Sequence, residues 1–157
     1  MKNQKGFSLI ELLLVVGVIL IISAIAVPSF LRSRMRANEG SAVVSIRTID
    51  AAAVTYSISY PDLGFPTNLN LLGGAEPCTP SSATACLIDD SLAQGAKSGY
   101  AFVWAGDGAT PSVSFTVTGA PLAAGSTGQS MYCSDQTAVI RFEFSGSGCT
   151  SASPPIQ

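Results

Sequence analysis

The chain has 157 residues, 47% of them hydrophobic and only 11% charged, with a net charge of -2. It contains no histidine, which excludes His-dependent triads, His-ligated zinc and His proton relays, and its mild acidity leaves no electrostatic footprint for DNA or RNA. The length suits one anchor plus one modest globular domain, since domains cluster near about 100–150 residues.

Near the N-terminus, Gly6-Phe7-Ser8-Leu9-Ile10-Glu11 sets a single carboxylate, Glu11, inside a segment otherwise apolar from Leu9 to Ile22. An ionised carboxylate in hydrocarbon costs about 2.5–3.5 kcal/mol on insertion scales, and such residues face a partner rather than lipid. Lys5 stands six residues earlier, which is not a same-face helical spacing. The partner must come from elsewhere: a new amino terminus, or another molecule. Phe7 to Val27 is long enough to cross a bilayer, which takes roughly 20 apolar residues at about 1.5 Å each.

Lys5-Gly6-Phe7-Ser8-Leu9-Ile10-Glu11, the apolar run and Pro28 together resemble the N-terminal signature of type IV pilins and type II secretion pseudopilins. The resemblance implies cleavage between Gly6 and Phe7 by a prepilin peptidase on the cytoplasmic side, followed by N-methylation of Phe7. It implies that Glu11 pairs with the Phe7 amine of a neighbouring copy, so that the apolar helix serves first as an inner-membrane anchor and then as a filament core. The domains expected on that basis are a leader at 1–6, a membrane and filament-core helix at 7–28, and a head at 29–157 that includes the second half of the helix. The expected partners are copies of the chain, the peptidase, an inner-membrane assembly platform and membrane lipid, with no nucleic acid. The precursor is expected with its N-terminus cytoplasmic and its head periplasmic, before it enters an extracellular pilus or a periplasmic pseudopilus. Loss of Lys2 and Lys5 with the leader takes the net charge from -2 to -4.

Two other readings of the span compete. Lys2 and Lys5, an apolar Leu12–Ile22 and the small-x-small Ala24-Ile25-Ala26 fit a cleaved secretory signal; an uncleaved single-span anchor fits the hydropathy. Neither accounts for Glu11 or for the helical pattern that resumes after Pro28. Arg32, Arg34 and Arg36 follow the span more densely than Lys2 and Lys5 precede it, against the expected orientation. The cysteines favour an oxidising exterior for the head, and the arginines read as a solvated helix face just beyond the membrane or, in an assembled filament, as groups set near acidic residues or solvent at the end of the apolar core. Gly17 and Pro28 are weak points, because proline removes a donor and clashes with the Ala24 carbonyl. The resemblance implies partial unwinding there in the filament.

Beyond Pro28 the helix is expected to run to Tyr60 and stop before Pro61. Ala42, Ile46, Ile49, Ala53, Tyr56 and Tyr60 form an apolar stripe, with Arg47 and Asp50 placed to pair off it. Such a helix is roughly 80 Å long, so half of it belongs to the head. Pro61 to Gly99 reads as a long connecting loop with short helical turns at Leu69–Leu72 and Leu87–Leu92. Strand signals follow at Tyr100–Ala105 and Val113–Thr118 across Gly106-Asp107-Gly108 and Pro111, then at Ser130–Cys133 and Ala138–Phe144 around Ser134-Asp135-Gln136-Thr137. In the last, Ile140, Phe142 and Phe144 alternate with Arg141 and Glu143, predicting one buried and one wet face. The fold class is α+β: a long N-terminal helix, part anchor and part amphipathic, on an antiparallel sheet of about four strands. Arg47–Asp50, Ser98–Phe102 and Asp135–Arg141 also resemble segments of bacterial pilin-like proteins, more loosely than the N-terminal motif does.

Cys78, Cys86, Cys133 and Cys149 contain no C-x-x-C pair, which weakens zinc and thioredoxin-like readings. Three pairings are open, as is a set of four reduced thiols. Cys78–Cys86 with Cys133–Cys149 is favoured because each closes a local loop rich in Ser, Thr, Gly or Pro.

No catalytic, metal or cofactor residues are expected. Asp89-Asp90 is a weak calcium signal and reads better as a helix start, and the C-terminal calcium loop of major pseudopilins is not matched. Gly106-Asp107-Gly108 lacks the strand–loop–helix of a phosphate cradle. The many Ser and Thr have no base to activate them, and Tyr56, Tyr60, Tyr100, Phe102, Trp104 and Phe142 read as core and sheet packing. The expected function is a structural prepilin subunit of a type IV pilus or similar filament. The alternatives are a pseudopilin of a type II secretion system and a minor pilin acting as a ligand- or DNA-binding tip.

Overall fold

A computed structural model describes residues 7–144 and 148–156. The chain divides into two compact units between Arg34 and Met35. One helix, α1 (Leu9–Ser59), runs through both units. It is followed by a 3-10 turn (Leu69–Leu72), a short α2 (Asp90–Ala93) and five strands: β1 (Ala96–Lys97), β2 (Tyr100–Gly106), β3 (Phe115–Pro121), β4 (Ser130–Asp135) and β5 (Arg141–Phe144). The strands form one antiparallel sheet in the order β1-β2-β3-β4-β5, a plain meander. The α+β architecture with a long N-terminal helix is as expected; among the described residues the sheet has five strands rather than about four.

The head is built on the helical stripe. Ala42, Ile46, Ile49, Ala53 and Tyr56 are all buried, and Tyr60 packs against their cluster. Across from them lie the inward residues of the sheet, Tyr100, Phe102, Phe115, Val117 and Tyr132. Full burial of one such aliphatic side chain stabilises by about 1.5–3 kcal/mol. The helix ends as Pro61 dictates: Tyr60 N–H still reaches the Tyr56 carbonyl at 2.9 Å, and the Leu63 and Gly64 amides turn back onto the Tyr60 carbonyl. Gly64 then takes a positive φ of 74° directly against the Ser112 backbone, where a Cβ would collide.

Three local expectations are corrected. The segment read as a loop from Pro61 to Gly99 contributes Leu69, Leu72, Ala85, Ile88, Leu92 and Ala93 to the core and ends in β1. Its backbone closes on itself, with Ala85 N–H on the Leu71 carbonyl at 2.7 Å and Leu87 N–H on that of Leu72 at 2.8 Å. Strand β3 starts at Phe115, not Val113, because the amides of Val113 and Ser114 are held by Asp107 Oδ2 at 2.9 and 3.0 Å. Strand β5 starts at Arg141, since Ala138 has a positive φ of 56° inside the turn.

The alternation expected in β5 also fails at its end. Ile140 is buried and Phe142 half-buried, but Phe144 is exposed. The face expected to be wet is partly covered by the C-terminal segment: Arg141 Nη1 donates to the Ser153 carbonyl at 3.0 Å, and Ser153 Oγ donates to Glu143 at 3.2 Å. Phe142 N–H meets the Pro154 carbonyl at 3.0 Å, and Ile156 N–H meets that of Ile140 at 2.9 Å.

Candidate functional site

In the N-terminal unit the sequence dictates a helix with no polar face. Leu, Val and Ile occupy nearly every position from Leu9 to Ile22, and Phe7, Leu9, Ile10 and Ile25 are each more than 70% exposed. By length and composition this part of α1 can cross a membrane. Exposed apolar surface of this extent marks an interaction with lipid or with protein. Gly6 lies outside the described residues. Phe7 and Glu11 are both exposed at the start of the helix.

Glu11 is not wholly idle within its own chain. The Ser8 backbone N–H donates to Glu11 Oε2 at 3.2 Å, while Leu12 N–H bonds the Ser8 carbonyl at 3.2 Å. This is half of a capping box: a Ser followed three residues later by Glu, whose carboxylate satisfies an otherwise orphaned amide and complements the positive end of the helix. The Ser8-x-x-Glu11 spacing carried that signal in the sequence. The amide leaves the charge uncompensated, and no cation pairs with Glu11 among the described residues. The helix runs unbroken through Gly17 and Pro28, although Pro28 has no N–H to give to the Ala24 carbonyl.

The head places the remaining candidates. Cys78 is bonded to Cys86 with Cα atoms 6.0 Å apart, and Cys133 to Cys149 at 5.7 Å, the two local pairings considered from sequence. Asp89 caps α2, accepting from Leu92 N–H at 2.8 Å, and pairs with Lys97; that bond to Lys97 above all holds its carboxyl below the usual carboxylate range. Arg36 pairs within its own helix: its Nη1 meets buried Glu39 at 2.9 Å, and the other Glu39 oxygen accepts the Gln129 amide at 2.9 Å. With Asn38 Nδ2 on the Thr127 carbonyl at 2.9 Å, this ties the β3–β4 connection to the helix.

The expected Arg47–Asp50 pair does not form. Asp50 turns inward instead, accepts from Ser134 Oγ at 2.7 Å, and is buried. Its spacing from the stripe was compatible with either face, and the buried Ser134 on β4 is what decides. The aromatics pack as expected, with Trp104 stacked on Phe115 at 4.3 Å and its indole N–H on the Pro66 carbonyl.

Comparison with known proteins bears on the N-terminal unit first. Residues 1–27 match the family model of the prokaryotic N-terminal methylation motif. Over 92 residues the chain is 33% identical to the type IV wide pilus major component PilA4 of Thermus thermophilus, covering 58% of this chain and 69% of that protein. It is 30% identical over 118 residues to the type IV major pilin protein PilA of Myxococcus xanthus, covering 61% of this chain and 54% of the relative. A fimbrial protein of Pseudomonas aeruginosa is 43% identical over 53 residues, 34% of each chain. No solved structure gives a significant match.

Proposed function

Because this chain belongs to the type IV pilin family, we propose that it is made as a precursor, cut between Gly6 and Phe7, N-methylated on Phe7, and polymerised through its apolar helix. It is a structural subunit of a pilus, assembling with copies of itself. In the finer reading, the precursor sits in the inner membrane with its head in the periplasm, where the two disulfides are chemically at home. A prepilin peptidase cuts it on the cytoplasmic side of that membrane, and an inner-membrane assembly platform polymerises it.

The observation that carries this reading is Glu11, the one charge on a solvent-exposed apolar helix between Phe7 and Arg32. Freed by cleavage, the Phe7 amine of a neighbouring copy supplies the cation that the chain does not give Glu11. Desolvated between packed helices, such a pair fixes register, because any slip leaves both charges unpaired. Two relatives are named as major pilus components, which supports a bulk filament subunit over a pseudopilin or a tip module.

The test is intact-mass and N-terminal analysis of filaments sheared from cells. The expected first residue is N-methylated Phe7. A mature chain that begins after Ala26, or that retains Met1, overturns the reading.

A further inference from the structure

Among the described residues, two carboxylates are buried in the head, and they are treated differently. Glu39 has a cation and an amide, one on each oxygen. Among the described residues Asp50 has only the Ser134 hydroxyl on Oδ2, and its buried Oδ1 has no partner. A buried, half-satisfied carboxylate destabilises the folded state when ionised, and far less when it carries a proton. We propose that Asp50, buried where α1 meets β4, is a proton-operated latch on the seating of the helix against that strand: the folded head is more stable when Asp50 is protonated than when it is ionised, even though Ser134 itself donates more strongly to the anion. This inference goes beyond filament assembly and does not rest on it.

The surroundings set the sign. Burial pushes the Asp50 carboxyl up to about 6; the Ser134 hydrogen bond opposes this, and the nearby charge of Asp135 on β4 adds to it. From its own helix the facing charged group is Arg47, one turn earlier. Arg47 and Asp50 line a groove of about 400 Å³ with Ala51, Val54 and Ala138, yet Arg47 closes no ion pair with Asp50. The β4–β5 turn brings Ala138, which does not titrate. In the unfolded chain Asp50 returns to the ordinary carboxylate value of about 4. Between that value and about 6 the folded state binds more protons than the unfolded one, so this group's contribution to stability falls as pH rises and is flat above.

The experiment follows thermal unfolding of the full-length chain in non-ionic detergent, through the fluorescence of the sole tryptophan, Trp104, from pH 4.5 to 7.5. The Tm of Asp50→Asn relative to the unmodified chain is expected to rise with pH across this range. In the steep part the folding equilibrium of the unmodified chain should lose close to tenfold per pH unit relative to the variant. Ser134→Ala removes the bond that favours the anion, so its midpoint is expected above about 6. A Tm difference independent of pH, or shrinking as pH rises, overturns the latch. An unmoved midpoint in Ser134→Ala overturns it as well, and that variant keeps the test decisive if Asp50→Asn fails to fold.

Discussion

The Ser8 backbone N–H and the Glu11 carboxylate meet at 3.2 Å at the start of α1. The side chain proposed to meet a neighbour's amine thus also caps the start of its own helix, and the observed role can be separated from the proposed one. Glutamine at this position can accept the Ser8 amide but carries no charge. Glu11→Gln is expected to leave helix content unchanged and still to abolish most filament yield, because removing one partner of a desolvated ion pair costs about 3–5 kcal/mol. Glu11→Ala is expected to lose the cap as well. Circular dichroism of the solubilised subunit and quantified sheared pili make the comparison; normal piliation in Glu11→Gln would show that the ion pair does not direct assembly.

The two faces of the head helix are expected to respond very differently to truncation. Ile49 is fully buried against the sheet, whereas Val44 is 60% exposed on the opposite face. Ile49→Ala should destabilise the head by about 2–5 kcal/mol through lost burial and the cavity left behind. Val44→Ala should change stability by about 0.5 kcal/mol or less. Thermal unfolding of the two variants in detergent checks this; equal losses would mean that the helix is not seated on the sheet by this stripe.

How much of this was legible in the sequence depends on the range of the interactions involved. The stem and the stripe Ala42–Tyr56 were readable because helical period and hydrophobicity act locally. The hairpin partners were readable because each strand is followed by its neighbour. What escaped is non-local. Asp50 turned inward because Ser134, 84 residues away, offers a hydroxyl, and the region before Gly99 became core because its backbone pairs with itself across a disulfide. The edge of β5 is covered by a segment whose Ser and Pro content carries no strand signal. At the N-terminus the motif was plain, but the bond from the Ser8 amide to Glu11 went unread although its spacing was local.

The two disulfides should contribute unequally. In the chain-entropy picture the stabilisation grows with the closed loop, and the sequence separations are 16 for Cys133–Cys149 and 8 for Cys78–Cys86. This gives about 3 kcal/mol for the first and about 2.5 kcal/mol for the second. The paired Cys→Ser replacements are expected to lower stability in that order. Cys78/Cys86 should also loosen the segment that brings Ala85 and Ile88 into the core. Denaturant unfolding of each paired variant tests the order, and a larger loss from Cys78/Cys86 would show that native packing, not loop length, sets the contribution.

Asp107 should give the head a pH response opposite in sign to that of Asp50. Its Oδ2 takes the Val113 and Ser114 amides at 2.9 and 3.0 Å, and its Oδ1 takes that of Ala109 at 3.1 Å. These bonds, that of Val113 foremost, hold its carboxyl far below the usual range. A carboxyl depressed in the folded state stabilises fully above its unfolded value of about 4, and this contribution is lost as pH falls below that value. Asp107→Asn keeps an acceptor for some of the amides but cannot ionise. The unmodified chain is therefore expected to exceed Asp107→Asn in Tm at pH 6, with the gap closing as the solution is taken from about pH 4 toward pH 2. A gap that stays constant over this acid range would mean that the turn gains nothing from the charge.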